Sequence, residues 1–302
     1  MKSRIGIVKT RLRLGKQTIA YPDGPARFPE RFRGRPLLDP ARCGTGCDAC
    51  AGACPTAAIS DAGKPSMKLD LGRCLFCADC TEACPSGAVA FTRDYRLAMR
   101  TRAELVVAKD EALLARALDG EMRRMFGRSL RLRQVSAGGC NGCEAELNAA
   151  GNVQFDLSRF GVGFVASPRH ADGIVVTGPV TENMLLALQK TYEATPAPKL
   201  VIAVGACAIS GGPFAGSPVV NDGTDGAIPG VPVDLYIPGC PPHPVTILDG
   251  LLRLLGRVEG DTLRLAGTGI VGGTAEPRVG RAGDAAEAGA RAPTGATPAT
   301  GR

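Results

Sequence analysis

The run Cys74-x2-Cys77-x2-Cys80-x3-Cys84-Pro85 constrains this 302-residue chain more than anything else in it. Two-residue gaps wrap three thiolates around one [4Fe–4S] cube, while the fourth cysteine, at a helix start, points to a neighbouring cube. Thirty residues earlier the pattern recurs: Cys47, Cys50 and Cys54-Pro55 answer Cys77, Cys80 and Cys84-Pro85. Two copies of one small unit are implied. Interleaving then assigns Cys74, Cys77 and Cys80 with Cys54 to one cluster, and Cys43, Cys47 and Cys50 with Cys84 to the other. The first copy departs in one place, since three residues separate Cys43 from Cys47; Gly44 and Gly46 are placed to absorb the extra residue as a bulge. A zinc ribbon can be drawn from the same C-x2-C pairs. It leaves the third cysteine of each copy and both Cys-Pro pairs without a role.

Twelve cysteines in a chain of this length are too sparse for a disulfide scaffold. The basic start MKSRIGIVKTRLRLGK lacks the apolar core of a signal peptide, and the single Arg-Arg pair, Arg123-Arg124, lies mid-chain. No stretch approaches 18 charge-free apolar residues, so no membrane span is expected. The expectation is therefore the reducing cytoplasm, where clustered cysteines bind metal. The net charge of +7 is carried by residues 1–40, which hold ten Lys and Arg against Asp23, Glu30 and Asp39. A basic arm of this kind suits an acidic partner or an anionic lipid surface better than a nucleic acid.

Composition divides the chain into zones. Residues 1–40 are a basic arm whose Pro22, Pro25, Pro29 and Pro36 oppose long helices. Residues 41–92 form an α+β ferredoxin-like two-cluster domain, and 93–128 read as a charged helical connector with Leu105, Val106, Leu113, Leu114, Ala117 and Leu118 inward. Residues 129–260 alternate β-branched runs (174–176, 200–204, 233–237, and a further run at 129–135) with helical patterns at 180–194 and 244–257. That alternation predicts an α/β domain with a parallel, flavodoxin-like sheet. Residues 261–302 are expected to be a disordered tail, most clearly 273–302, which are rich in Gly, Ala, Pro and Thr.

The last four cysteines fall into place on those strands. Cys140 and Cys143 follow the run at 129–135, Cys207 follows 200–204 and Cys240 follows 233–237, all beyond carboxyl ends of parallel strands, where open α/β sheets bind ligands. Glycines 138, 139, 142, 205 and 239 let backbone N–H groups approach an anionic cluster. A third four-cysteine [4Fe–4S] site is the expectation, for three clusters in all.

Here the sequence resembles a known family. The stretches Gly139-Cys140-Asn141-Gly142-Cys143-Glu144-Ala145-Glu146, Ala166-Ser167-Pro168-Arg169-His170, Thr177-Gly178-Pro179-Val180-Thr181, Val204-Gly205-Ala206-Cys207 and Ile237-Pro238-Gly239-Cys240-Pro241-Pro242 resemble the small (20 kDa) electron-transfer subunit shared by complex I and energy-converting [NiFe]-hydrogenases. Residues 1–100 resemble the two-cluster ferredoxin subunit of the same complexes, so the chain looks like a fusion of two neighbouring subunits. A tether of this kind holds donor and acceptor clusters at high effective concentration. The resemblance implies that Cys140, Cys143, Cys207 and Cys240 hold the terminal cluster, which faces the active site of a separate large subunit. Complex I subunits usually have adjacent cysteines where this chain has Cys140-x2-Cys143; formate-hydrogenlyase-like subunits have the spaced form.

The expected function is electron relay through three clusters to or from a [NiFe]-type large subunit, within an oxidoreductase whose catalytic centre lies on another chain. The alternatives are a quinone-reducing, complex I-like partner and a non-redox zinc scaffold. Membrane subunits and an upstream electron donor of the same complex are implied partners, with the chain peripheral on the cytoplasmic face of the inner membrane through them. Nucleic acid is not an expected partner. Glu146 stands as either a proton relay beside the cluster or an acid favoured by a helix dipole, and the second reading is preferred for Glu144. Arg169 and His170 are candidate large-subunit contacts, although a plain structural role is preferred for His170, and His243 is expected at the surface.

Overall fold

The computed structural model describes residues 4–26, 28–108, 111–227, 231–258, 262–264 and 270–271. The chain opens with helix α1 (Arg4–Leu14), which ends before the first proline. The duplicated segment follows as β1 (Pro36–Leu38), α2 (Ala49–Gly52), β2 (Ile59–Ser60), β3 (Lys68–Asp70), α3 (Asp79–Ala83) and β4 (Val89–Thr92). β1 pairs antiparallel with β4, and β2 with β3. The duplication is visible in the backbone. Gly46 and Phe76, thirty residues apart, both take left-handed φ, and so do Ala57 and Gly87.

The connector departs from expectation. Residues 93–128 are mainly extended, with a 3-10 turn at Ala103–Leu105, then β5 (Val106–Val107), β6 (Glu111–Leu113) and only one short helix, α4 (Gly120–Phe126). Its backbone finds distant partners instead of its own turns. Met99 and Tyr236 exchange hydrogen bonds of 3.0 and 2.9 Å, Ala115 N–H donates to Ala98, and Leu118 N–H to Leu254. Leu105, Leu114 and Leu118 are buried by this threading, and Val106 faces solvent while Val107 is buried, as strand alternation dictates.

The second half is built on β7 (Leu130–Ser136), α5 (Gly142–Ala150), β8 (Val162–Phe164), β9 (Gly173–Thr177), α6 (Glu182–Ala194), β10 (Leu200–Val204), α7 (Ala206–Ser210), α8 (Thr224–Ala227), β11 (Leu235–Ile237) and α9 (Pro244–Leu254). Five strands form one sheet in the order β8-β7-β9-β10-β11, every neighbour parallel. Counted along the chain this is 2-1-3-4-5, so the order reverses between β7 and β9. β9 and β10 are buried at every position, which is why they read as unbroken apolar runs rather than alternating ones. α9 is buried along its whole length.

Two further strands correct the expected tail: β12 (Thr262–Arg264) pairs with β6, and β13 (Ile270–Val271) with β4. Edge strands with unpaired backbone groups capture even a Gly-rich segment. Residues 261, 265–269 and 272–302, the rest of that expectation, lie outside the described residues.

The two halves share one interior. A single apolar core runs from Leu38, Ile59, Leu69, Val89 and Phe91 through Met99 to Ile174, Val176, Val201, Ala203 and Tyr236. Around it, Ser210 Oγ donates to the Gly72 carbonyl at 2.9 Å. The N-terminal segment straps the second half as well. Thr18 Oγ1 donates to the Val153 carbonyl, the Arg159 guanidinium donates to the Ile19 and Tyr21 carbonyls, and Tyr21 Oη donates to the buried Asp249 at 2.7 Å. Asp249 also accepts from Arg253 at 2.9 Å.

Candidate metal centres

None of the twelve cysteines forms a disulfide, and the charges of several of them act on one another. In the first set, burial raises the Cys50 thiol, and the charges of Cys84 and Cys43 add to the effect. At Cys84 burial is outweighed by hydrogen bonds from Ser86 and from the amides of Val89 and Ala88, which bring the thiol below its ordinary value. In the second set, burial pushes Cys74 up to about 12, opposed by the Phe76 N–H and reinforced by Cys80, Cys54 and Cys77. Cys80 rises to about 11, from burial and then from Cys54 and Cys77. The third set is Cys143, raised to about 12 by burial, Glu144, Cys207, Cys240 and Cys140, with Cys207 raised to about 11 by burial, Cys240 and Cys140. The backbone of Cys47 packs against Gly63.

The duplication extends to the hydrogen bonds on sulfur. Ala58 N–H donates to Cys54 Sγ and Ala88 N–H to Cys84 Sγ, both at 3.2 Å, while the hydroxyls of Thr56 and Ser86 lie 3.8 and 3.7 Å from the same two sulfurs. Phe76 N–H donates to Cys74 Sγ at 3.4 Å. The Thr-for-Ser exchange between the copies therefore preserves one contact.

Glycines shape the third set. Gly205, at φ +90°, leaves room for Cys143: a methyl added there would stand 2.4 Å from its Sγ. Gly212 does the same for Cys207, at 2.9 Å. Cys140 and Cys240 are exposed, so this set opens to the surface at the carboxyl edge of the sheet, beside the switch point between β7 and β9.

Donor chemistry and spacing fit an iron–sulfur core. A tetrahedral zinc 2.3 Å from each thiolate needs sulfurs within about 4 Å of one another. Among the described residues no group of three or more His, Cys, Asp or Glu converges closely enough to hold a single ion. Thiols raised by burial and by one another, with backbone N–H groups directed at Cys54, Cys74 and Cys84, suit a cationic iron–sulfur core that offsets their charge as thiolates.

Cys50 of the first set acts on Cys80 of the second, and Cys77 of the second acts on Cys240 of the third. A cavity of about 240 Å³ lies beside Cys240, lined by Leu75, Phe76, Arg33, Glu146, Cys240 and His243.

Two residues behave differently from expectation. Glu144 is buried, and its Oε1 accepts from Ser136 Oγ at 2.6 Å and Thr177 Oγ1 at 2.7 Å. Burial alone would raise its carboxyl, but these hydrogen bonds outweigh it and hold the group below the usual range. A fixed anion thus sits beside Cys143, a role the sequence did not signal because its partners lie on β7 and β9. Glu146 is half-buried on the cavity wall, where desolvation raises it. His243, expected at the surface, is half-buried: its ring meets Phe28, Phe32 and Phe155 at 5.1, 5.5 and 5.7 Å, and its Nδ1 accepts from Val245 N–H to cap α9. Aromatic residues of the arm, more than 200 residues away in sequence, cover it. Arg169 and His170 are exposed.

Residues 140–254 match the family model described as NADH ubiquinone oxidoreductase, 20 Kd subunit, and residues 42–88 match a 4Fe-4S dicluster domain. The "Probable membrane-bound hydrogenase subunit mbhJ" of Pyrococcus furiosus is 46% identical over 138 residues, 46% of this chain and 81% of that protein. The chain belongs to the 20 kDa-subunit family. "Formate hydrogenlyase subunit 7" of Escherichia coli is 42% identical over 150 residues, 50% of this chain and 57% of that one. An NADH-quinone oxidoreductase subunit of Heliobacterium modesticaldum is 48% identical over 118 residues, 39% of this chain and 66% of its own length. This 20 kDa-type chain joins the family's cysteine set to a dicluster segment within one core. Among its described residues no helix is long and apolar enough to cross a membrane.

Proposed function

We propose that this chain is the electron-relay subunit of a membrane-associated oxidoreductase of the [NiFe]-hydrogenase or formate-hydrogenlyase type. In this reading residues 41–92 carry two [4Fe–4S] clusters, on Cys43, Cys47, Cys50 and Cys84 and on Cys54, Cys74, Cys77 and Cys80. Residues 129–260, a flavodoxin-like α/β domain, carry a third on Cys140, Cys143, Cys207 and Cys240. Bound clusters supply reversible one-electron chemistry, and the potentials answer to charge, burial and hydrogen bonds at sulfur. The chain's own residues do the rest. Ala58, Ala88 and Phe76 donate to ligand sulfurs, Gly205 and Gly212 give Cys143 and Cys207 their space, and Glu144 keeps a negative charge beside the third set.

The observation that carries the reading is the joining, in one chain, of a 4Fe-4S dicluster match over residues 42–88 and a 20 kDa-subunit match over 140–254, with Cys140 and Cys240 exposed at the carboxyl edge of the sheet. A catalytic large subunit covering that edge is the partner this arrangement fits, with membrane subunits and an upstream donor completing the complex. Cys140-x2-Cys143 favours a hydrogenase-type partner. A quinone-reducing partner is the second reading, favoured by the 48% identity to the quinone oxidoreductase relative. Metal analysis of the purified chain tests the proposal: about twelve iron per chain and three reducible [4Fe–4S] signals in electron paramagnetic resonance are expected. Zinc in place of iron, with no reducible signal, overturns it.

A further inference from the structure

Between residue 1 and Asp23 the chain carries six Lys and Arg and no acid. Five of these, Arg4, Lys9, Arg11, Arg13 and Lys16, lie on α1 or just beyond it. The helix is exposed on every side that the described residues define. Ile7 is 70% exposed, Val8 59%, Leu12 78% and Leu14 57%, an unusual amount of aliphatic surface for one short helix. The hydrogen bonds of its side chains are local: Thr10 to the Gly6 carbonyl, and Arg11 to the Gly15 carbonyl. Among the described residues no ion pair involves Lys9, Arg11, Arg13 or Lys16.

The arrangement of these residues is specific. Val8 and Leu12, four apart, share a stripe flanked by Arg11 on one side and by Lys9 and Arg13 on the other. On the neighbouring stripe Arg11 and Leu14 turn to a cleft of about 770 Å³, whose other wall is Lys16, Ile19, Val153 and Phe160. Val153 is itself 71% exposed. Both the stripe and the cleft therefore join aliphatic surface to unclaimed cationic heads. An acidic protein surface would use the cations and leave the aliphatic side chains in water. A bilayer with anionic headgroups uses both, the stems of Lys and Arg lying along acyl chains while their heads meet phosphate.

We propose that α1 and the adjoining cleft dock this chain directly on an anionic lipid surface, independently of its partner subunits. The contact is independent of the electron-relay reading, since none of the twelve cysteines lies in the arm.

The test uses the full-length, iron-loaded chain, with iron content measured beside each binding curve. It should co-sediment with phosphatidylcholine vesicles containing phosphatidylglycerol, and far less with phosphatidylcholine alone. Replacing Lys9, Arg11 and Arg13 together by Gln should weaken the partition about a hundredfold at low salt. The pair Val8→Asp and Leu12→Asp should abolish binding even where the cations remain, while iron content stays unchanged in both variants. Equal binding to neutral and anionic vesicles overturns the proposal. So does binding that survives the Asp pair, or binding to poly-glutamate with none to vesicles, which would assign the arm to an acidic protein instead.

Discussion

Replacing Gly205 by Ala isolates the third cysteine set. The added methyl would stand 2.4 Å from Cys143 Sγ, where carbon and sulfur normally rest no closer than about 3.5 Å, so one of them must move by about 1 Å. Metal-ligand distances tolerate about 0.2 Å, which makes the displacement several times too large. The backbone adds to it: at φ +90° a non-glycine residue costs about 1–3 kcal/mol. The first two sets do not touch Gly205. Iron should therefore fall from about twelve to about eight per chain, with two of three paramagnetic signals retained. Gly216→Ala is the matched control. It also has a left-handed φ, +78°, but a methyl there meets nothing within 4 Å, so it carries the backbone strain without the clash. The reasoning fails if Gly205→Ala keeps its full iron, or if Gly216→Ala loses as much.

Glu144→Gln keeps the shape of a buried side chain while removing a negative charge that acts on Cys143 and Cys207. The potential of the third cluster should rise, as read by redox titration in electron paramagnetic resonance; an unchanged potential would show that Glu144 serves only to tie α5 to β7 and β9. Asp249→Ala removes the carboxylate that accepts from both Tyr21 and Arg253, in a site where Asp249 is 1% exposed. Breaking such a buried pair costs about 3–5 kcal/mol, so the urea midpoint should drop sharply, whereas a shift under about 1 kcal/mol would mean that the strap adds little.

The dicluster segment was legible because ligand spacing is a local property: a loop of two-residue gaps encloses a cluster whatever surrounds it. β9 and β10 were legible for a related reason, since strands buried on both faces leave a continuous apolar imprint. The connector was misread because Leu105, Leu114 and Leu118 are buried by different partners, and their spacing imitates one helical face. β12 and β13 escaped because composition says nothing of an edge strand waiting to be paired. Glu144 and His243 escaped for want of any local sign. Their environments come from Ser136 and Thr177, and from Phe28, Phe32 and Phe155, which only the folded topology brings to them.

The continuous interior of the two halves has a consequence for synthesis. Leu38, Val89 and Phe91 leave the ribosome long before Val176, Val201 and Tyr236, which complete the same core. Until then the first eight cysteines sit in a segment whose apolar side lacks its cover. Cluster loading in the early part of the chain must therefore wait for, or be held open until, the arrival of the late part. Sharing one core between the two matched segments thus sets an order on the chain's own maturation.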